Sequence, residues 1–321
     1  MDTSPNLLAL TNFTTENGAF YASIHLSYQV FGATLHSAPI VVVNHALTGN
    51  SQVIGATGWW NDLIGTNKTI DTQKYTILAF NVPGNGFDGQ VIESYLDFTA
   101  RDVAQLFVLG LQELQIASVY AIIGGSVGGG IAWEMAALSP RLAQHLIPIA
   151  TDWKATDWLM ANCYLQEQIL NHSSHPIEDA RVHAMLCYRT PESFEAKFNR
   201  TINSDLGVFN IESWLAHHGE KLQQRFQLSS YKMMNQLLKT IDITRGRGSF
   251  ESVVAPITAA IYMIGIDSDL FFTPTENRKT TQELQELGQQ VSYQEIESIH
   301  GHDAFLIEYE QLNRLLATVF D

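Results

Sequence analysis

The chain is short of cysteine, of basic residues and of long apolar runs, and each shortage excludes a class of function. Two cysteines among 321 residues, Cys163 and Cys187, are too few for a disulfide framework. Neither stands in a CxxC or Cys/His metal spacing, so both read as packing residues in a reducing compartment. Lysine and arginine number 18 against 33 acidic residues, a formal net charge of −15. Binding to nucleic acid or to an anionic membrane draws on basic patches, and this balance argues against both. No run approaches the roughly 18 consecutive apolar residues of a membrane span. The opening MDTSPNLLALTNFTTENG lacks the basic start and apolar stretch of a secretory signal. The expected compartment is the cytoplasm.

What is present is the pattern of an α/β protein. Hydrophobic residues make up 45%, enough for a sizeable core. Near-continuous apolar runs recur at 39–44 (PIVVVN), 75–81, 119–124, 145–150, 259–265 and 291–296. Strands of this kind are buried on both faces, which predicts a mostly parallel sheet flanked by helices. Between them, 99–116 spaces its apolar residues by three and four, as an amphipathic helix does. Residues 151–250 break the rhythm. They carry four helix-like stretches (155–170, 177–190, 191–200 and 229–241) and little strand signal. The division expected is a core of 1–150 and 251–321 with a helical cap of 151–250 over the carboxyl ends of the strands, where sites on open α/β sheets lie.

Glycine is locally abundant. In 124–130, GGSVGGG, five of seven residues are glycine around Ser126. A phosphate-binding loop would follow its last glycine with Lys and Ser or Thr, whereas Gly130 precedes Ile-Ala-Trp. A dinucleotide fingerprint fits neither in phase nor in position. Gly124, Ser126 and Gly128 instead satisfy G-x-S-x-G between a strand and a helix, the nucleophile elbow, where a sharp turn lifts a serine above the sheet. Gly125 and Gly129 fit close packing of that helix on the sheet, and Gly130 is expected to mark an approach by the cap or by an acyl chain.

A serine nucleophile needs a base, and the base an orienting carboxylate, in the chain order Ser, acid, His. Asp267 and Asp269 follow the strand at 259–265, and His300 and His302 follow the strand at 291–296. Distance to Pro274 favours Asp269, and the glycine-flanked lead into AFLIEY favours His302; Asp267 and His300 read as loop-stabilising residues. The oxyanion donors would be the Val127 N–H and that of Leu47 or Ala46 in the loop NHALTGNSQ, with His45 read as structural.

Several stretches together resemble one family, the homoserine O-acetyltransferases: NHALTGNSQV (44–53), GWWNDLIG (58–65), IGGSVGGGIAWEMA (123–136), ARVHAMLCYRTPESFEAKFNR (180–200), GIDSDLFFTP (265–274) and GHDAFLIE (301–308). The resemblance implies the α/β-hydrolase fold and a ping-pong acyl transfer through Ser126, His302 and Asp269 to L-homoserine. Acetyl-CoA would be co-substrate, with no cofactor or metal. It places Leu47 and Val127 in the oxyanion hole, Arg181 with Tyr188 at the substrate carboxylate, and Asp303 at the amino group. It also implies a homodimer built through the cap. The loop after NVPGNGFDGQ (81–90) and the cap segment HSSHP (172–176) are shorter than the family pattern.

Overall fold

The computed structural model describes residues 4–320. Eight strands form one sheet: β1 (Asn6–Thr14), β2 (Phe20–Gly32), β3 (Ile40–Asn44), β4 (Thr76–Phe80), β5 (Val119–Gly125), β6 (Ala143–Ile149), β7 (Ala260–Ile266) and β8 (Val291–Ile296). Their order across the sheet is β1-β2-β4-β3-β5-β6-β7-β8. From β4 to β8 every pairing is parallel, whereas β2 runs antiparallel to both β1 and β4.

The apolar runs at 39–44, 75–81, 119–124, 145–150, 259–265 and 291–296 become β3 to β8. In β3 and β4 every residue is buried, because helices cover both faces. Alternate side chains divide between two cores. Val42, Leu78 and Ile122 join one with α1 (Ala100–Glu113) and α2 (Val127–Leu138). Val41, Val43, Ile77 and Ile123 join the other, with Trp60, Phe305 and the helix Tyr309–Phe320. Helix α1 starts on a capping box in which Thr99 and Asp102 satisfy each other's backbone N–H groups.

The β1–β2 hairpin has no counterpart among the runs read from sequence. One of its faces is solvated, so polar residues interrupt it. Between β6 and β7 lie five helices where the sequence shows four, α3 (Asp157–His172), α4 (Pro176–Tyr188), α5 (Pro191–Phe198), α6 (Asn210–Gln223) and α7 (Leu228–Lys239), followed by a five-residue helix at Phe250–Val254. The additional one is α6, packed on α4 and largely solvent-facing, hence its polar sequence. Among the described residues no helix is long and apolar enough to cross a membrane.

Candidate active site

The three residues proposed from chain order meet at the carboxyl edge of the sheet. Ser126 follows β5 directly and opens α2, with φ 55° and ψ −127°, a backbone conformation that non-glycine residues rarely adopt. Two glycines make this turn feasible. A Cβ on Gly124 would lie 2.4 Å from the Gly128 carbonyl oxygen, and one on Gly128 would lie 2.4 Å from that of Asn44. The adjoining glycines answer to packing. A Cβ on Gly125 would reach 2.5 Å from the Phe305 ring, and on Gly129 2.3 Å from Thr151 Cγ2. On Gly130 it would lie 2.4 Å from Cδ1 of Ile241, just beyond α7, so this glycine admits the cap.

His302 Nε2 lies 2.9 Å from Ser126 Oγ, and His302 Nδ1 lies 2.7 Å from Asp269 Oδ2. All three side chains are buried. The other Asp269 oxygen accepts the N–H groups of Phe271 (2.7 Å) and Phe272 (3.0 Å), which fix the carboxylate's orientation toward the ring. The imidazole is boxed by Tyr188, Phe271, Phe272 and Phe305, whose ring centres lie 5.2–5.8 Å away. An apolar box of this kind excludes competing water and strengthens the relay's hydrogen bonds.

Asp267 and His300 serve the loops. Asp267 Oδ1 accepts the Ser298 N–H at 3.0 Å, and His300 Nδ1 lies 2.9 Å from Ser193 Oγ on α5. His45 is fully buried beneath the glycine-bounded turn at 45–49. Its Nδ1 lies 2.8 Å from the Ala46 carbonyl and its Nε2 accepts the Val82 N–H at 3.0 Å, which fixes a neutral tautomer. Burial pushes its pKa down to about 4. The turn uses the Gly49 N–H, 2.9 Å from the Ala46 carbonyl, and leaves Leu47 facing the site beside Tyr188 and Phe271. The Val127 N–H is the first of α2 and so has no partner within the helix.

The cap and the loop after β8 supply the remaining groups. Tyr188, at the end of α4, lies against His302 and Phe271, and burial holds its phenol well above its ordinary pKa. The Arg181 guanidinium sits 5.9 Å over the Tyr188 ring and makes no ion pair among the described residues. Asp303, beside His302, is already engaged: its Oδ2 lies 3.1 Å from Nε of Arg189. Sequence reasoning missed Arg189, and also Phe271, Phe272 and Phe305 as walls of the histidine. The only available signal was adjacency, since Arg189 follows Tyr188 and the phenylalanines flank Asp269 and His302.

Both thiols are free. Cys163 is core, and Cys187 donates to Asn162 Oδ1 at 3.2 Å in a small cavity between α3, α4 and α7.

Comparison with known proteins extends this geometry. A profile of the α/β-hydrolase fold matches residues 39–308. The homoserine O-acetyltransferase of Trichormus variabilis is 32% identical, over 95% of this chain and 90% of its own length. The chain belongs to the homoserine O-acetyltransferase family. The family's enzyme from Chlorobium chlorochromatii is 30% identical over 98% of this chain and 95% of its own. Among solved structures, the family's Staphylococcus aureus member is 26% identical with a TM-score of 0.82, covering 98% of this chain and 94% of that one. Esterase E22 overlays as well, with a TM-score of 0.87 at 17% identity over 99% of both chains; at that identity the likeness is one of fold. As a member of an acyltransferase family on a hydrolase scaffold, the chain is an enzyme.

Proposed function

We propose that the chain is an acyl-CoA:L-homoserine O-acyltransferase, with acetyl-CoA as donor, working by a ping-pong mechanism. The observation that carries this reading is the continuous relay Ser126–His302–Asp269, at 2.9 and 2.7 Å, flanked by the cap arginines Arg181 and Arg189 and by Asp303 of the core. In the first half-reaction His302 Nε2 takes the Ser126 hydroxyl proton as Oγ attacks the thioester carbonyl. The backbone N–H groups of Leu47 and Val127 hold the oxyanion; the C–S bond then breaks and His302 returns the proton to the departing thiolate. In the second, His302 takes the proton of the homoserine γ-hydroxyl, whose oxygen attacks the acyl-serine ester; Ser126 Oγ leaves and regains the proton. Asp269 orients the ring and stabilises its cationic form in both.

Arg181, which makes no ion pair within 4 Å among the described residues, suits the planar carboxylate of the acceptor, and Asp303 suits its ammonium. The Tyr188 ring lies against both the Arg181 guanidinium, at 5.9 Å, and the imidazole, at 5.4 Å.

The test is to incubate the protein with acetyl-CoA, with and without L-homoserine, following free CoA and product mass. CoA release in step with O-acetylhomoserine is expected, and Ser126→Ala abolishes it. CoA release that ignores homoserine would make the protein an esterase on the same scaffold, and activity surviving in Ser126→Ala would remove the mechanism.

A further inference from the structure

Asp303 raises a problem that the relay does not. Its side chain is only 20% exposed, and the groups facing it are Arg189 and Arg181 from the cap and His302 and Asp269 from the core. Burial pushes its carboxyl above the usual carboxylate range, and Asp269 adds to that push; Arg189, Arg181 and His302 pull it down, Arg189 most of these three. A protonated Asp303 would be useless to an ammonium. The Arg189 contact is also one-sided. Its Nε lies 3.1 Å from Oδ2 yet is not aligned for a hydrogen bond with any acceptor, so the pair acts as charge beside charge and leaves the oxygen's lone pairs open.

Arg189 is itself held. It is the C-terminal cap of α4, its N–H bonded to the Met185 carbonyl, and its Nη1 is 3.4 Å from Ser193 Oγ. The next residue, Thr190, donates its hydroxyl to the Ile299 carbonyl on the loop that carries His302. Gly301, at φ +63°, lies so close beneath the chain that a Cβ there would be 2.8 Å from the Tyr188 carbonyl oxygen. The α4–α5 junction and the histidine loop are thus fastened together, and Arg189 cannot drift from Asp303.

We infer that Arg189 is a positioning residue for the acceptor: its guanidinium, 3.1 Å from Asp303 Oδ2 and fixed by the α4–α5 junction, holds the buried Asp303 side chain in place, so that the site takes an amino-bearing acceptor in preference to water. The inference rests on the transferase reading above, with Asp303 as the ammonium's partner. Removing the neighbouring positive charge lets the Asp303 pKa rise further, so the acidic limb of the acceptor's kcat/KM must move to higher pH.

The experiment separates the half-reactions. Acyl-enzyme formation is read from the burst of p-nitrophenol with p-nitrophenyl acetate, and acceptor use from KM and kcat/KM for L-homoserine across pH 5–9. In Arg189→Met the expected result is an acceptor KM raised about tenfold or more, an acidic limb displaced upward by about one pH unit, and a burst rate within about threefold of the parent. Arg189→Lys, which keeps the charge, should recover most of the loss and bring the limb back; it also serves if the methionine variant does not fold. Thr190→Val loosens the same junction without touching Asp303, and should slow both half-reactions alike with the limb unmoved. An unmoved limb in Arg189→Met, or equal loss in both half-reactions, makes Arg189 a mere bolt and overturns the inference. A parent protein that acetylates no homoserine would instead overturn the transferase reading itself.

Discussion

Gly130 stands in the second turn of α2, where a glycine weakens a helix by roughly 1 kcal/mol relative to alanine. Its reason is Ile241, whose Cδ1, Cγ1 and Cγ2 would lie 2.4, 2.7 and 3.0 Å from an added Cβ. Gly130→Ala should therefore destabilise by about 1–3 kcal/mol despite the better helix propensity. Ile241→Val removes the nearest atom, so the double variant should recover part of the loss. Urea midpoints of the four proteins measure this coupling; additive effects would refute the contact. Gly124 differs in kind, because its obstacle is backbone and no partner substitution relieves it. The sequence shows that glycines crowd around Ser126, and the elbow spacing accounts for two of them. The neighbours of the other three lie far along the chain, at Thr151, Ile241 and Phe305, where no local spacing reaches. The same limit hides Arg189: its adjacency to Tyr188 is visible, whereas its approach to Asp303 exists only once the α4–α5 junction has met the histidine loop.

Strands buried on two faces were legible, and most of those with a wet face were not. β3 to β7 declare themselves as apolar runs, whereas β1, β2 and α6 carry alternating or mixed residues that match loop composition equally well; β8, with alternate residues exposed, shows as a β-rich run nonetheless. Between elements, the cap's return to the core is held by charge. Glu134 of α2 is fully buried, with Arg101 of α1 at 3.2 Å and Arg247, in the segment after α7, at 2.9 Å. Arg101 and Arg245 also clasp Glu16, from the turn between β1 and β2, at 2.6 and 2.7 Å. Replacing Glu134 by Gln leaves two guanidiniums facing a neutral amide, and the loss should be about 3 kcal/mol. The exposed pair Arg278–Glu295, though geometrically as close at 2.7 Å, should change the urea midpoint little when Arg278 becomes Ala. Comparable losses at the two sites would show that burial does not set the worth of these pairs.

Across the whole molecule, two buried groups give stability opposite slopes with pH. His45 is held neutral with a pKa near 4, below its ordinary 6.5. Its contribution is complete above pH 6.5 and is lost as the pH falls through 4, because the unfolded chain binds the extra proton first. Asp152, fully buried at the end of β6, accepts from the Trp153 N–H, Thr280 Oγ1 and Asn277 Nδ2, yet burial outweighs these bonds and raises its pKa to about 6. Its contribution is complete below pH 3.8 and is lost as the pH rises through 6. Each displacement corresponds to roughly 3 kcal/mol, so between pH 4 and 6 the two largely offset each other. Removing one should expose the other. Asp152→Asn is expected to gain stability relative to the parent at pH 7, with that advantage shrinking toward pH 4; His45→Gln should lose most at pH 7 and least at pH 4. Urea midpoints for the parent and both variants at pH 4.5, 5.5 and 7 measure the differences, in which the titration of the other carboxylates cancels. Parallel curves for Asp152→Asn and the parent would mean that Asp152 titrates in the fold as it does in water, and the opposition would be gone.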